Sequence, residues 1–179
     1  MSPADAPSSP QGSPFWQFSL RFYRRPKVAD ACIALQEEAG VDVNLLLFLL
    51  WHATLKRALS RTEVEELDNG IGPWRDATVI PLRAVRRALK SPPDLVVGAT
   101  AEHFRTRIKA VELEAERLQQ EAMYALARTS PFGREVPSIK EAARTSVAAY
   151  QRICREAFPK PAIETLLAAL PASGRTTEE

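Results

Sequence analysis

The segment from Gly40 to Trp51 constrains this chain more than any other, because Leu45 to Trp51 is apolar without interruption. Such a run is greasy on every side of a helix, and a helix with no polar face has to be wrapped by others. It therefore marks the centre of an all-α core, over about residues 42–58. Gly40 can take the left-handed conformation that ends a preceding helix. Asp42 then fits the N-cap, with its carboxylate accepting from the free N–H groups of the first turn. Val41 and Leu46 fall at the two positions of a hydrophobic staple. Asn44 lies inside the apolar run, where a buried amide needs partners; a bond to backbone or to a neighbouring helix is the simplest expectation. The run is far shorter than the ~20 residues needed to span a bilayer, so no membrane insertion is expected.

The rest of the chain reads as helices around that centre. Ser13 and Pro14 have cap and first-turn character. Trp16, Leu20 and Tyr23 follow at helical spacing, with Phe15, Phe18 and Phe22 on a second line. Pro26 breaks this helix, and Val28, Cys32, Leu35 and Ala39 make one face of the next. After the central helix, Thr62 and Glu65 have capping-box spacing, and a short helix should end near Asn69-Gly70. Trp74, Thr78, Leu82, Val85 and Leu89 trace another apolar line, in which Pro81 must kink the helix or sit in its first turn. A long helix from about Thr100 carries Phe104, Ile108, Val111, Ala115, Leu118 and Ala122 on one face. Two more helices, Ile139–Phe158 and Ala162–Leu170, complete a single-domain bundle of about six to eight helices over residues 14–170. No segment alternates for long enough to be a strand. The proline-rich and small polar stretches at 1–13 and 171–179 read as disordered tails.

With 179 residues and a net charge of +2, the chain fits one domain and has no global pull toward nucleic acid or anionic membrane. Cys32 and Cys154 form no C-x-x-C pair and suggest neither a disulfide framework nor a zinc site. No basic region followed by an apolar stretch opens the chain, so a cytoplasmic location is expected.

Several blocks resemble the signature of an uncharacterised family of short all-helical bacterial proteins, a domain of unknown function. Trp16-x-Phe18-Ser19-Leu20-x-x-Tyr23 leads to Cys32-x-x-Leu35-Gln36 and then to Gly40-x-Asp42-Val43-Asn44-Leu45-Leu46-Leu47-Phe48. Pro81-Leu82-Arg83-x-x-Arg86, Lys109-x-x-Glu112-Leu113-x-Ala115-Glu116 and the Gln119/Gln120 pair before Tyr124 continue the likeness, which covers most of residues 15–126. Lys27 departs from it, standing where a glycine is expected between Pro26 and Val28. The resemblance implies a bacterial, helical, soluble protein and brings no activity, cofactor or catalytic residue.

Chemistry-bearing residues are sparse. Arg75, Arg83, Arg86, Arg87 and Lys90 form the densest basic cluster, a strip that could receive an acidic partner or an anion. Charge pairing with acids of the long helix is the plainer reading. Glu112, Glu114 and Glu116 splay around that helix and do not converge on one metal, and no Glu-x-x-His motif accompanies them. His52 and His103 lack partners at the spacing that a zinc site or a nucleophile–base pair requires. Gly-rich phosphate loops are absent, which argues against nucleotide chemistry. No cofactor or metal is expected, and an enzyme is disfavoured. The expected function is a non-enzymatic interaction protein that docks an acidic protein partner through Arg83, Arg86, Arg87 and Lys90. The alternative is an anionic-ligand binder or enzyme with a pocket between helices, lined by Trp16, Tyr23, Asn44 and Trp51 with Arg83 or Arg86 fixing the anion.

Overall fold

The structure, a computed structural model, describes residues 12–92, 96 and 98–172. The tails expected at 1–13 and 171–179 lie outside it except at their inner ends, as does most of the loop at 93–97. Among the described residues the chain forms eight α-helices: α1 (Pro14–Tyr23), α2 (Val28–Ala39), α3 (Val43–Thr54), α4 (Arg61–Trp74), α5 (Ile80–Ala88), α6 (Gly98–Thr129), α7 (Ile139–Gln151) and α8 (Lys160–Ala169). The all-α expectation holds. The one addition is a two-residue antiparallel ladder, β1 (Arg57–Ala58) with β2 (Arg134–Glu135), too short to leave a periodic trace in sequence.

Helix α3 is the axis of the fold. Every residue from Asn44 to Leu50 is buried, and α7 forms its largest wall, with α1, α2 and α6 around the rest. Its start follows the sequence reading. Gly40 caps α2 at φ 64°, and Asp42 Oδ1 accepts from the N–H groups of Asn44 (2.8 Å) and Leu45 (3.2 Å). It ends earlier than expected, at Thr54, where the chain turns into β1. Val28, Cys32, Leu35 and Ala39 bury one face of α2, and Ser13 caps α1 by accepting from Trp16 N–H. Lys27 adopts φ 65°, the left-handed conformation that only glycine takes without steric cost. The missing glycine of the sequence comparison is therefore a strained lysine. Gly133, at φ 74°, is needed in the ladder: a Cβ there would lie 3.0 Å from the Ala58 carbonyl oxygen.

Four expectations are corrected. The capping box is formed by Ser60 and Glu63, not Thr62 and Glu65, so α4 begins at Arg61. It also passes through Asn69-Gly70 and runs to Trp74. There it widens into a π turn, Arg75–Val79, that joins it to α5 in one bent rod. Pro73 and Pro81 flank that turn; each lacks an N–H donor and crowds the preceding carbonyl, which the wider turn accommodates. Helix α7 stops at Gln151, short of Phe158. The long helix α6 buries a different side from the one its apolar periodicity indicates. Ala101, Glu112, Ala115, Gln119, Gln120 and Met123 face inward, while Phe104, Val111 and Leu118 remain exposed. Among the described residues, no helix is long and apolar enough to cross a membrane.

Candidate functional site

A chain of polar side chains runs from the N-terminus of α3 across α6 to α5. Asp42 is its hub. Its Oδ1 caps α3, while its Oδ2 accepts from Gln119 Nε2 at 2.8 Å and from an Arg75 guanidinium nitrogen at 3.4 Å. The backbone N–H of Asp42 donates to the Tyr150 hydroxyl at 2.9 Å, so α7 closes the same corner. Asn44 bonds to α6: its amide nitrogen donates to Gln119 Oε1 (3.2 Å), and its carbonyl oxygen accepts from Gln120 Nε2 (2.8 Å). The inner ring of amides and carboxylate is thereby paired, apart from Gln120 Oε1, which is buried without a partner.

The arginines form the outer part. Arg75 spans Asp42, Asp68 (2.6 Å) and Asp76 (3.2 Å). Burial alone would lower its pKa, but the bond to Asp68 and the charges of Asp42 and Asp68 outweigh it and raise it. Arg83 donates to Glu112 (3.2 Å) and Glu116 (2.8 Å), and Arg86 grips both oxygens of Glu112. Glu112 and Glu116 are one turn apart and meet at Arg83, whereas Glu114 faces solvent and pairs with Arg117. Burial pushes the Glu116 carboxyl up despite the attraction of Arg83. Among these charges the pairing is internal, as a half-buried guanidinium requires.

Beside this network lies an open cleft of about 920 Å³ between α2, the π turn, α5 and the end of α7. Arg75, Arg83, Arg87 and Arg155 border it together with five carboxylates, so its charges nearly cancel. Arg87 bonds Glu37 across its mouth at 2.8 Å. Of the residues that sequence reading assigned to a pocket, only Arg83 borders this cleft. Asn44 is sealed beneath it, and Arg86 is turned onto Glu112. Trp51 belongs to the aromatic packing around Phe15 and Phe48, Trp16 is a buried residue of α1, and Tyr23 is partly exposed at the end of that helix. On the basic flank, Arg87 and Lys90 are exposed while Arg83 and Arg86 are held inward.

The groups with nucleophilic or acid–base potential are placed for stability. Burial pushes the Cys32 thiol up to about 12 and the Cys154 thiol up to about 11. His52 is buried against Phe48, Trp51 and Phe132 with neither ring nitrogen bonded, and burial, then the charge of Arg57, pulls it down to about 4. Among the described residues, no three His, Cys, Asp or Glu side chains gather where they could hold a metal ion.

Sequence reasoning missed the roles of Gln119 and Gln120. The available signal was spacing: Gln119 lies seven residues and Gln120 eight residues after Glu112, on or beside the stripe of α6 that also carries Ala101 and Ala115.

Fold and site together define an all-α protein whose long helix is docked to its core through a polar seam. The family model described as protein of unknown function, DUF2390, matches residues 14–123, more than half of the chain, and the chain belongs to that family. Every residue of the seam except Tyr150 lies within the match. No curated protein and no solved structure matches the chain.

Proposed function

We propose that this is a non-enzymatic interaction protein, and that its docking face is the apolar side of the α5–α6 hairpin. One observation carries the reading. Helix α5 buries none of its residues, and each of the two apolar lines read from the sequence leaves large side chains in solvent. Trp74 at the end of α4 and Val85 on α5, with Phe104, Val111 and Leu118 on α6, remain exposed. The Trp74 indole N–H donates to the Ala115 carbonyl at 3.0 Å, which joins the two lines. Monomers rarely leave contiguous apolar surface of this kind without a partner for it. The arginine flank supports docking less well, since Arg83 and Arg86 already have carboxylate partners and only Arg87 and Lys90 extend outward.

The test is gentle capture of the tagged full chain from its native host, with wild type beside Val85→Glu/Phe104→Glu and Arg87→Glu/Lys90→Glu. Loss of a stoichiometric protein from the first variant, at an unchanged melting temperature, supports the hairpin face. Loss only from the second returns the role to the basic flank, and retention by both removes the docking reading.

A second reading rests on the cleft. Its size suits a small metabolite. Its near-cancelling charges suit a ligand that carries both signs better than a simple anion. Native mass spectrometry of the purified protein tests it: a bound small molecule displaced by Arg83→Ala supports it, and a bare protein after mild isolation argues against it.

A further inference from the structure

Helix α6 carries Phe104, Val111 and Leu118 at seven-residue intervals, and each keeps about half of its surface in solvent: 46%, 52% and 45%. Seven residues are close to two helical turns, so the three side chains form one ridge of roughly 21 Å. The ridge is symmetric about Val111. Its outer border is not. Arg107, Glu114 and Glu121 share that border at the same seven-residue interval, with the cation on one side of Val111 and the carboxylates on the other.

A ridge that is symmetric in shape and antisymmetric in charge is complementary to itself in one orientation only. Resting on the docking reading above, we infer that the occupant of this face is a second copy of the chain. The two α6 helices run antiparallel about a two-fold axis at Val111. There each Val111 meets its counterpart, Phe104 lies opposite the other copy's leucine at 118, and Arg107 faces the carboxylate at 114. A parallel pairing would set Arg107 against Arg107 and Glu114 against Glu114. Two-fold, self-matching interfaces are the commonest way for a protein to associate with itself. Glu114 is free to change partner, because its present bond to Arg117 is an exposed pair one turn away on the same helix. Glu121 is less free, since it accepts from Ser13 N–H at 2.8 Å. Trp74, bonded to the Ala115 carbonyl and 40% exposed, adds to the surface that the second copy would cover.

Sedimentation velocity of the full chain over a wide dilution series is the experiment. Wild type is expected to pass from dimer to monomer on dilution. Val111→Glu should raise the dissociation constant by at least ~tenfold, and Ile33→Glu, exposed on α2, should leave it unchanged. Arg107→Glu should weaken the dimer, and Arg107→Glu/Glu114→Arg should restore it, a rescue that a generally damaged fold could not give. A wild type that is monomeric throughout overturns self-pairing, and so does a dimer indifferent to Val111→Glu and to the charge exchange. A monomer whose captured heterologous partner is lost in Val111→Glu refutes the second copy but leaves the docking reading standing. A monomer whose capture is unaffected refutes both.

Discussion

Helix α3 buries leucine on every side, whereas α6 buries Glu112, Gln119 and Gln120 and leaves phenylalanine, valine and leucine in solvent. The two helices touch, and Asn44 is where they meet. What separates them is the nature of their neighbours. Helix α3 has apolar walls around most of its circumference. On one side α6 meets α5, whose inward positions are Arg83 and Arg86, so carboxylates are the side chains that satisfy that contact. On another it meets the polar start of α3. Burial in α6 is decided by hydrogen-bond accounting as much as by transfer from water.

This contrast sets an order of expected effects. Phe48→Ala, in the centre of α3, should cost about 3–5 kcal/mol in a denaturant titration. A loss below about 1 kcal/mol would show that the α3 core is loosely packed. His52 should sharpen the apolar character of that half through pH. Its folded pKa, about 4, lies below the ordinary 6.5, so the unfolded chain binds the proton more readily. Stability associated with His52 is complete above pH 6.5 and is lost as pH falls toward 4, by roughly 3 kcal/mol in all. The difference between wild type and His52→Leu, followed through that window, isolates this contribution; a difference that stays constant with pH would contradict it.

On the polar side, Glu112→Ala leaves Arg83 and Arg86 short of an acceptor. Removing one partner of a fully buried pair costs about 3–5 kcal/mol, and about 2 kcal/mol is expected here because water can still reach the guanidinium groups. Glu112→Leu with Arg86→Met should recover most of that loss if pairing rather than carboxylate chemistry is the role of this site. The smallest effect is at the turn between α1 and α2. Lys27→Gly removes a left-handed lysine and should stabilise by about 0.5–1 kcal/mol, read as a higher melting temperature. No gain would mean that the side chain of Lys27 compensates for its backbone.

The comparison also explains which parts of the molecule were legible. Helix α3 could be read because a helix apolar all round leaves no choice of face. Gly40, which ends α2, and Asp42, which caps α3, are local chemistry and need no neighbours to be recognised. The pairing of the α6 acids with the α5 arginines was legible as charge. The buried face of α6 was not. Its apolar stripe at 104, 111 and 118 and its buried stripe at 112 and 119 are about a quarter-turn apart, and periodicity alone ranks the apolar one first. Only knowing that α5 brings arginines to that helix reverses the order. The Ser60–Glu63 box was misread because Thr62 and Glu65 repeat the same spacing two residues later. The inward corner built by Tyr150 depends on a contact 108 residues away in sequence, which no local pattern carries.

That corner has a consequence for how the molecule can be divided. The family match ends at Met123, yet the largest wall of α3 is α7, and Tyr150 of α7 receives the bond from the start of α3. The matched segment thus lacks the wall against which α3 packs most. A chain cut after residue 123 would keep the entire polar seam except its last hydroxyl, and would still lose the surface against which its most apolar helix rests. The boundary of the family match and the boundary of the packed core fall at different places in this protein.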